Sequence, residues 1–276
     1  MAVNTSDAHR RAVPEHIGSG FESANIAAMP LILATTTPGE PEIFASLQGE
    51  GPSAGRPVGF VRLSRCNLAC SWCDTAYTWH FTGDNRPHRH AATFDRAANQ
   101  LVLGEAEVAR LIAALGRRRL VVTGGEPLLQ GPALARMAEA LASIAPETSV
   151  EVETNGTIAP HAGFDAHVAQ YNVSPKLAHS GNPTALALPD APLAGWAAEP
   201  RAIFKFVIAA PEDIAEALAL AARHAIASQR IWLMAEGTDA AALSAREAWL
   251  AEACIAHDVN LSKRQHIEWF GDTRGT

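Results

Sequence analysis

The sequence predicts an α/β chain folded as an open partial barrel of parallel strands, of the (βα)6 type. Three observations carry that prediction. From residue 105 onward, short apolar stretches alternate with segments of helical period, a pattern that demands parallel strands with right-handed crossovers. About six or seven such units can be counted, too few to close an eight-stranded barrel. The stretches that carry chemistry each follow a strand, at the carboxyl ends where parallel α/β folds place their sites.

The 276 residues, 48% hydrophobic and 18% charged, allow one large α/β domain with a sizeable core, or two small ones. A formal net charge of -7 argues against a general nucleic-acid binder, which presents a basic face. No apolar run of about 18 residues suggests a membrane span, and no compact apolar segment precedes a cleavage site at the N-terminus. Clustered free cysteines without an even framework point to a reducing compartment, with the cytoplasm as the expectation.

Residues 1–38 differ from the rest. The first twenty are polar and lack an apolar period, so this stretch is expected to be a disordered extension, with Met29 an alternative start. The domain is placed at 39–276, with order beginning near Glu42. Residues 42–51 form a strand-like piece running into a Gly-rich turn. Val58, Phe60, Val61 and Leu63 mark a strand that feeds a cysteine loop. Residues 78–100 have mixed polarity and read as a partly ordered insertion; the spacing of His80, His88 and His90 fits no tight metal motif, so they are expected to be solvated. Val108, Leu111, Ile112 and Leu115 fall at i, i+3, i+4 and i+7, with Gly116 as a cap: a helix. Strands follow at 120–123, 150–153, 167–173, 202–209, 230–234 and 259–261. Helices are expected at 132–144, 212–227 and 239–257, the last with Cys254 packed inward. Four prolines make 183–200 a loop with some helix.

Three of the four cysteines stand at Cys66, Cys70 and Cys73, a C-x3-C-x2-C spacing. Three thiolates this close converge when a loop wraps a metal or an iron–sulfur cluster. A structural zinc site needs a fourth ligand, for which His80 is the nearest histidine. A [4Fe–4S] cluster on three cysteines leaves one iron open. A disulfide is disfavoured by the odd count and tight spacing. In Gly124-Gly125-Glu126-Pro127 the glycines let backbone approach a ligand closely, although an ordinary βα turn would look the same. Arg62, inside an apolar strand, demands a reason beyond a surface ion pair.

With Trp72 just before its last cysteine, the loop resembles the signature of the radical S-adenosylmethionine superfamily. That resemblance implies that Cys66, Cys70 and Cys73 hold a [4Fe–4S] cluster, that S-adenosylmethionine chelates the open iron, and that its cleavage releases a 5′-deoxyadenosyl radical. It further implies cofactor contacts from Trp72 and from Gly125 supported by Glu126. Ser174, Pro175 and Lys176 stand at a strand's carboxyl end, where they could contact a ribose hydroxyl and a carboxylate, and Leu233, Met234, Ala235 and Glu236 stand at a corresponding end, where they could pack the adenine.

Leu47-Gln48-Gly49-Glu50-Gly51, then Arg62, then Asp74-Thr75, is similar to one branch of the superfamily, the 7-carboxy-7-deazaguanine synthases, over roughly 42–269. The match implies a pterin substrate touched by Leu47, Gln48, Gly49, Glu50 and Thr123. Gln48 and Glu50 would meet the ring's donors and acceptors, Arg62 would clamp a carboxylate in a bidentate pair, and the Thr75 hydroxyl would ligate Mg²⁺. The resemblance also implies a flavodoxin-type electron donor, a homodimer, and a product feeding queuosine or another deazapurine, with no nucleic acid or membrane as partner. Residues 262–269 are similar to the family's last motif, with Gln265 and His266; the chain runs on for seven residues, so a contact by the family's terminal residue is not carried over. Two alternatives stay open at this point. A glycyl-radical-enzyme activase shares the cysteine spacing but would lack the 47–51 and Arg62 set. A non-enzymatic iron–sulfur or zinc module would share the loop alone.

Overall fold

The computed structural model describes residues 30–90 and 92–276. Its frame is one 11-stranded sheet. In chain order the strands are β1 (Leu31–Thr37), β2 (Glu40–Pro41), β3 (Ile43–Leu47), β4 (Pro57–Leu63), β5 (Gln100–Leu103), β6 (Arg119–Gly124), β7 (Ser149–Thr154), β8 (Val168–Val173), β9 (Ala202–Ile208), β10 (Ile231–Ala235) and β11 (Asn260–Ser262). The series β4-β6-β7-β8-β9-β10-β11 is parallel throughout. β1 and β3 lie antiparallel on the other edge of β4, and β2 and β5 lie antiparallel to β1. No described strand pair joins β11 back to β1 or β2, so the barrel stays open.

The helices are α1 (Arg96–Asn99), α2 (Glu105–Ala114), α3 (Gly131–Ile144), α4 (Ala162–Asp165), α5 (Thr184–Ala187), α6 (Asp190–Ala198), α7 (Pro211–Arg223), α8 (Ala240–His257) and α9 (Gln265–Phe270). Local chemistry starts them where they start. The Asp239 side chain accepts from Ala242 N at 2.8 Å and caps α8. Pro211 opens α7, where a missing N–H costs nothing. α7 ends four residues before the expected 227, because Ala225 takes a left-handed conformation (φ 53°) and turns Ile226 back onto the core. None of the described helices is long and apolar enough to cross a membrane.

Alternation along the strands separates two environments. Val150 and Val152 of β7 join Leu120, Val122, Leu134 and Phe204 in the apolar layer under the helices. Glu151 and Glu153 face the other way, into the barrel, where the Ser53 hydroxyl donates to Glu151 at 2.7 Å. The barrel interior therefore carries polar and charged side chains.

The expected start of order near Glu42 is corrected. Residues 1–29 lie outside the described residues, but β1 occupies 31–37, with Leu31 and Leu33 fully buried. Its partners are far away in sequence: Leu33 pairs with Leu63 of β4 and with Leu101 of β5. The 78–100 stretch is likewise tied in, since α1 leads directly into β5. His80 is not solvated as expected; it is 4% exposed and packs against Trp79 at a ring distance of 5.0 Å.

Because Leu33 anchors the strand beside the cysteine loop, Leu33→Ala is expected to cost about 2–5 kcal/mol. Denaturant unfolding of the two proteins measures it; a cost below about 1 kcal/mol would mean that β1 is dispensable.

Candidate active site

The carboxyl ends of the parallel strands open onto a cavity of about 430 Å³. The cysteine loop leaves β4 at Ser64, whose N–H donates to Ile32 O at 2.9 Å and whose hydroxyl donates to Thr78 O at 3.0 Å. Arg65 then turns the chain with φ at 77°. Cys66, Cys70 and Cys73 all line the cavity. Neighbours already offer donors to the sulfurs: Leu68 N lies 3.4 Å from Cys66 Sγ, and Asn182 Nδ2 lies 3.3 Å from Cys70 Sγ. Burial pushes the Cys66 thiol up to about 12 and Cys70 to about 11, and raises Cys73 as well. The free thiols are thus protonated at neutral pH, and loading iron must release protons.

The donor set fits an iron–sulfur cluster better than zinc. No three described His, Cys, Asp or Glu side chains meet at the spacing of a single metal ion. The candidate fourth ligand, His80, does not line the cavity. Three thiols spread around one chamber, with no fourth protein ligand, suit a multi-iron cluster with an open iron.

The glycine pair at the end of β6 has a packing reason. A Cβ on Gly124 (φ +148°) would lie 2.2 Å from Leu63 O, and one on Gly125 would lie 2.1 Å from Arg65 O. Instead Gly125 N donates to Leu63 O at 3.0 Å and Glu126 N to Arg65 O at 2.9 Å. The turn therefore seats the cysteine loop. Glu126 was expected to support the cofactor, but it is fully buried and does not reach the cavity. It accepts from Leu128 N (2.9 Å), Asn155 N (2.7 Å) and the Thr154 hydroxyl (3.0 Å), bracketing the end of β7. Asn155 in turn donates to Asn67 Oδ1 inside the cysteine loop at 2.9 Å. Burial pushes the Glu126 carboxyl up to about 7.

Of the remaining expected cofactor contacts, Trp72, Ser174, Lys176, Met234, Ala235 and Glu236 line the cavity. Lys176 donates to the Ser174 hydroxyl at 2.8 Å, and Glu236 pairs with Arg89 and with Arg246 (3.3 Å). Two expectations are corrected. Leu233 lies in the apolar core on the opposite face of β10 from Met234, and Pro175 is buried behind the cavity wall.

The expected substrate set is brought together: Leu47, Gln48, Gly49, Glu50, Arg62 and Thr123 line the same cavity, as does Thr75. Register explains one pairing, since Arg62 and Thr123 sit side by side on β4 and β6. The 47–51 turn docks on the last motif: Gln265 N donates to Gly49 O at 3.0 Å, and a Cβ on Gly49 would lie 2.3 Å from His266 Nδ1. Glu50 is held by Lys205 and by Arg264 at 3.1 Å, with the His266 ring 3.9 Å away. Burial alone would raise its pKa, but the Lys205 and Arg264 charges hold its carboxyl well below the usual range. Lys205 also reaches Glu153 at 2.8 Å, and Gln48 donates to Glu153 at 3.2 Å. Arg264 continues to Asp74, next to Cys73. Lys205, Glu153 and Arg264 were not singled out from sequence. The signal for Lys205 was present: it is a lone charge inside an apolar strand, the same mark that singled out Arg62, whereas Glu153 shares β7 with Glu151. Residues 271–276 also line the cavity.

The model of the radical SAM superfamily matches residues 61–172. The chain is 36% identical over 237 residues to the 7-carboxy-7-deazaguanine synthase of Pyrobaculum aerophilum, spanning 85% of this chain and 95% of that one. It is 33% identical over 234 residues to the synthase of the same name from Hyperthermus butylicus, spanning 82% and 90%. Among solved structures it resembles the crystal structure of QueE from Escherichia coli, with a TM-score of 0.60 and 25% identity over 85% of this chain and 94% of that one.

The Glu126 carboxyl yields a pH prediction. A carboxyl raised from 4.5 to about 7 on folding contributes stability that is complete below pH 4.5 and is lost as pH rises through 7. The loss is of order 3 kcal/mol. Denaturant unfolding of the reduced, metal-free protein across pH 4.5–7 is expected to show this fall, and Glu126→Gln to flatten it. Superimposable pH slopes would mean that the carboxyl is not held up.

Proposed function

The chain belongs to the 7-carboxy-7-deazaguanine synthases, a branch of the radical S-adenosylmethionine superfamily, and from that premise we propose how its cavity serves the family's reaction. It is a radical S-adenosylmethionine lyase that forms 7-carboxy-7-deazaguanine, on the route to queuosine. A [4Fe–4S] cluster and S-adenosylmethionine come with the family. The observation that carries the assignment of residues is the sharing of one cavity by the three thiols and the Gln48, Glu50, Arg62, Thr75 and Thr123 set.

We take the substrate to be 6-carboxy-5,6,7,8-tetrahydropterin, contracted to the deazaguanine with loss of ammonia. When bound, the cluster and S-adenosylmethionine would supply the radical chemistry needed to activate the substrate at C6. The chain's own residues bind, orient and enclose. Cys66, Cys70 and Cys73 would hold the cluster. Trp72, Gly125, Ser174, Lys176, Met234, Ala235 and Glu236 would form the wall for the S-adenosyl group. Glu126, Pro175 and Leu233 shape that wall from behind. Glu50, kept ionised by its cationic neighbours, would accept from the ring N–H donors, with Gln48 beside it as a mixed donor and acceptor. Arg62 would take the substrate carboxylate through its two Nη groups. The Thr75 hydroxyl would ligate Mg²⁺, which keeps most of its waters and needs few protein ligands. Asp74 is already engaged by Arg264 and would act only from behind. The enclosing walls exclude water from reactive species. A flavodoxin-type electron donor, a homodimer and a cytoplasmic location complete the proposal; free cysteines suit a reducing compartment.

Mass spectrometry of an anaerobic reaction with reconstituted protein, S-adenosylmethionine, Mg²⁺, reductant and the carboxytetrahydropterin is expected to yield 7-carboxy-7-deazaguanine. Appearance of 5′-deoxyadenosine without any deazapurine would remove the substrate assignment. Arg62→Ala is expected to raise KM by roughly 10–100-fold, the worth of a hydrogen-bonded charge pair. Thr75→Ala is expected to raise the Mg²⁺ concentration needed for half-maximal rate; an unchanged Mg²⁺ response would remove Thr75 as the ligand.

A further inference from the structure

Arg62 does not stand alone in the cavity wall. Its Nε donates to Glu42 Oε1 at 2.7 Å, and Glu42 is fully buried. The same carboxylate lies 2.9 and 3.1 Å from the Tyr77 hydroxyl, which donates to it. Among the described residues, the two Nη groups of Arg62 make no hydrogen bond. One edge of the guanidinium is thus fixed, and the edge that presents two parallel N–H groups is left for a ligand.

Tyr77 is itself held from two sides. The Arg274 guanidinium lies 3.5 Å from its ring centroid, within the range of a cation–π contact. Phe94 meets it edge-on at 6.2 Å. Arg274 is fixed in turn by Asn99 Oδ1 at 2.9 Å, and the Asn99 amide donates to Asp95 O at 2.8 Å. Two guanidiniums, Arg62 and Arg274, therefore line the cavity on either side of one buried Glu–Tyr pair. A buried carboxylate bound to one arginine edge and one phenol has few ways to move. It sets the plane of Arg62 before any ligand arrives, which is the preorganisation that a bidentate contact needs.

We propose that Glu42 and Tyr77, with Arg274 stacked on the tyrosine, are positioning residues that aim Arg62 at the substrate carboxylate and so set the enzyme's preference for a carboxylated pterin. This rests on the reading of Arg62 as the carboxylate clamp. Glu42 also offsets the Arg62 charge. The pair can then stay ordered in the absence of an anion, and the carboxylate meets a guanidinium with only one edge engaged.

The test uses the full chain, loaded with cluster and S-adenosylmethionine under anaerobic conditions. Dissociation constants are measured for 6-carboxy-5,6,7,8-tetrahydropterin and for the same tetrahydropterin without the carboxylate; their ratio is the carboxylate preference. Arg62→Ala is expected to abolish the preference. Tyr77→Phe and Glu42→Gln are expected to cut it by about tenfold, the lower end for a hydrogen bond to a charged group, while the decarboxylated ligand binds as before. Arg274→Ala is expected to reduce it severalfold and Arg274→Lys to retain most of it, since a cation stays over the ring. If Arg62→Ala keeps the preference, the clamp reading fails and the proposal with it. If Arg62→Ala abolishes the preference but Tyr77→Phe and Glu42→Gln leave it intact, the clamp stands and the proposal falls. Equal weakening of both ligands in those two variants would also overturn it, as a general structural effect. Should Glu42→Gln fail to fold, as judged by thermal melting, the Tyr77 and Arg274 variants decide.

Discussion

A charge buried inside a barrel must be answered where it stands, and the cavity is organised around one such charge. Lys205 is 2% exposed in the middle of β9. Leaving it unpaired would cost several kcal/mol, since removing one partner of a buried pair typically costs about 3–5 kcal/mol. Glu50 and Glu153 supply the counter-charges, from the 47–51 turn and from β7. Glu50 then recruits Arg264, and Arg264 recruits Asp74 and the carbonyl of Gly237. The turn assigned to the substrate, the cysteine loop and the loop after β10 are thereby linked by one chain of ion pairs. The cysteine loop also packs Leu68 and Cys70 against Ala187, so ion pairs and apolar contact hold it together.

A second constraint acts beside it, through the absence of side chains. The end of β6 passes so close to the end of β4 that any Cβ on Gly124 or Gly125 would collide with backbone. The contact brings the cysteine loop against the strand end, and Glu126 ties both to the end of β7. Geometry at the three thiols is thus set by backbone hydrogen bonds from neighbouring strands rather than by the loop itself. The three thiols are gathered around one chamber.

Most of the alternation from residue 105 onward was legible because each helix and strand there shows its period in its own run of residues. The failures have a common physical cause. β1 reads as a polar-flanked tail until its partners, β4 and β5, are known to be beside it. His80 reads as a loop residue because nothing local shows that Trp79 will cover it. Leu233 and Pro175 were placed in the wall by their position near strand ends; whether a residue faces the chamber depends on strand register, and register is a tertiary property.

The sequence by itself determined the chemistry available: three thiols at a spacing that only a wrapped loop can use, a glycine pair after a buried strand, and an arginine stranded among apolar residues. Those are matters of residue type and local spacing, which survive without a fold. Only the tertiary structure decided how that chemistry is aimed. Lys205 meets Glu50 across 155 residues, and Arg264 meets Asp74 across 190. Arg62 meets Glu42 across 20 residues, through the antiparallel pairing of β3 with β4. Electrostatic partners separated this far are chosen by which strand ends a sheet brings together, and that choice belongs to the pairing of the whole barrel.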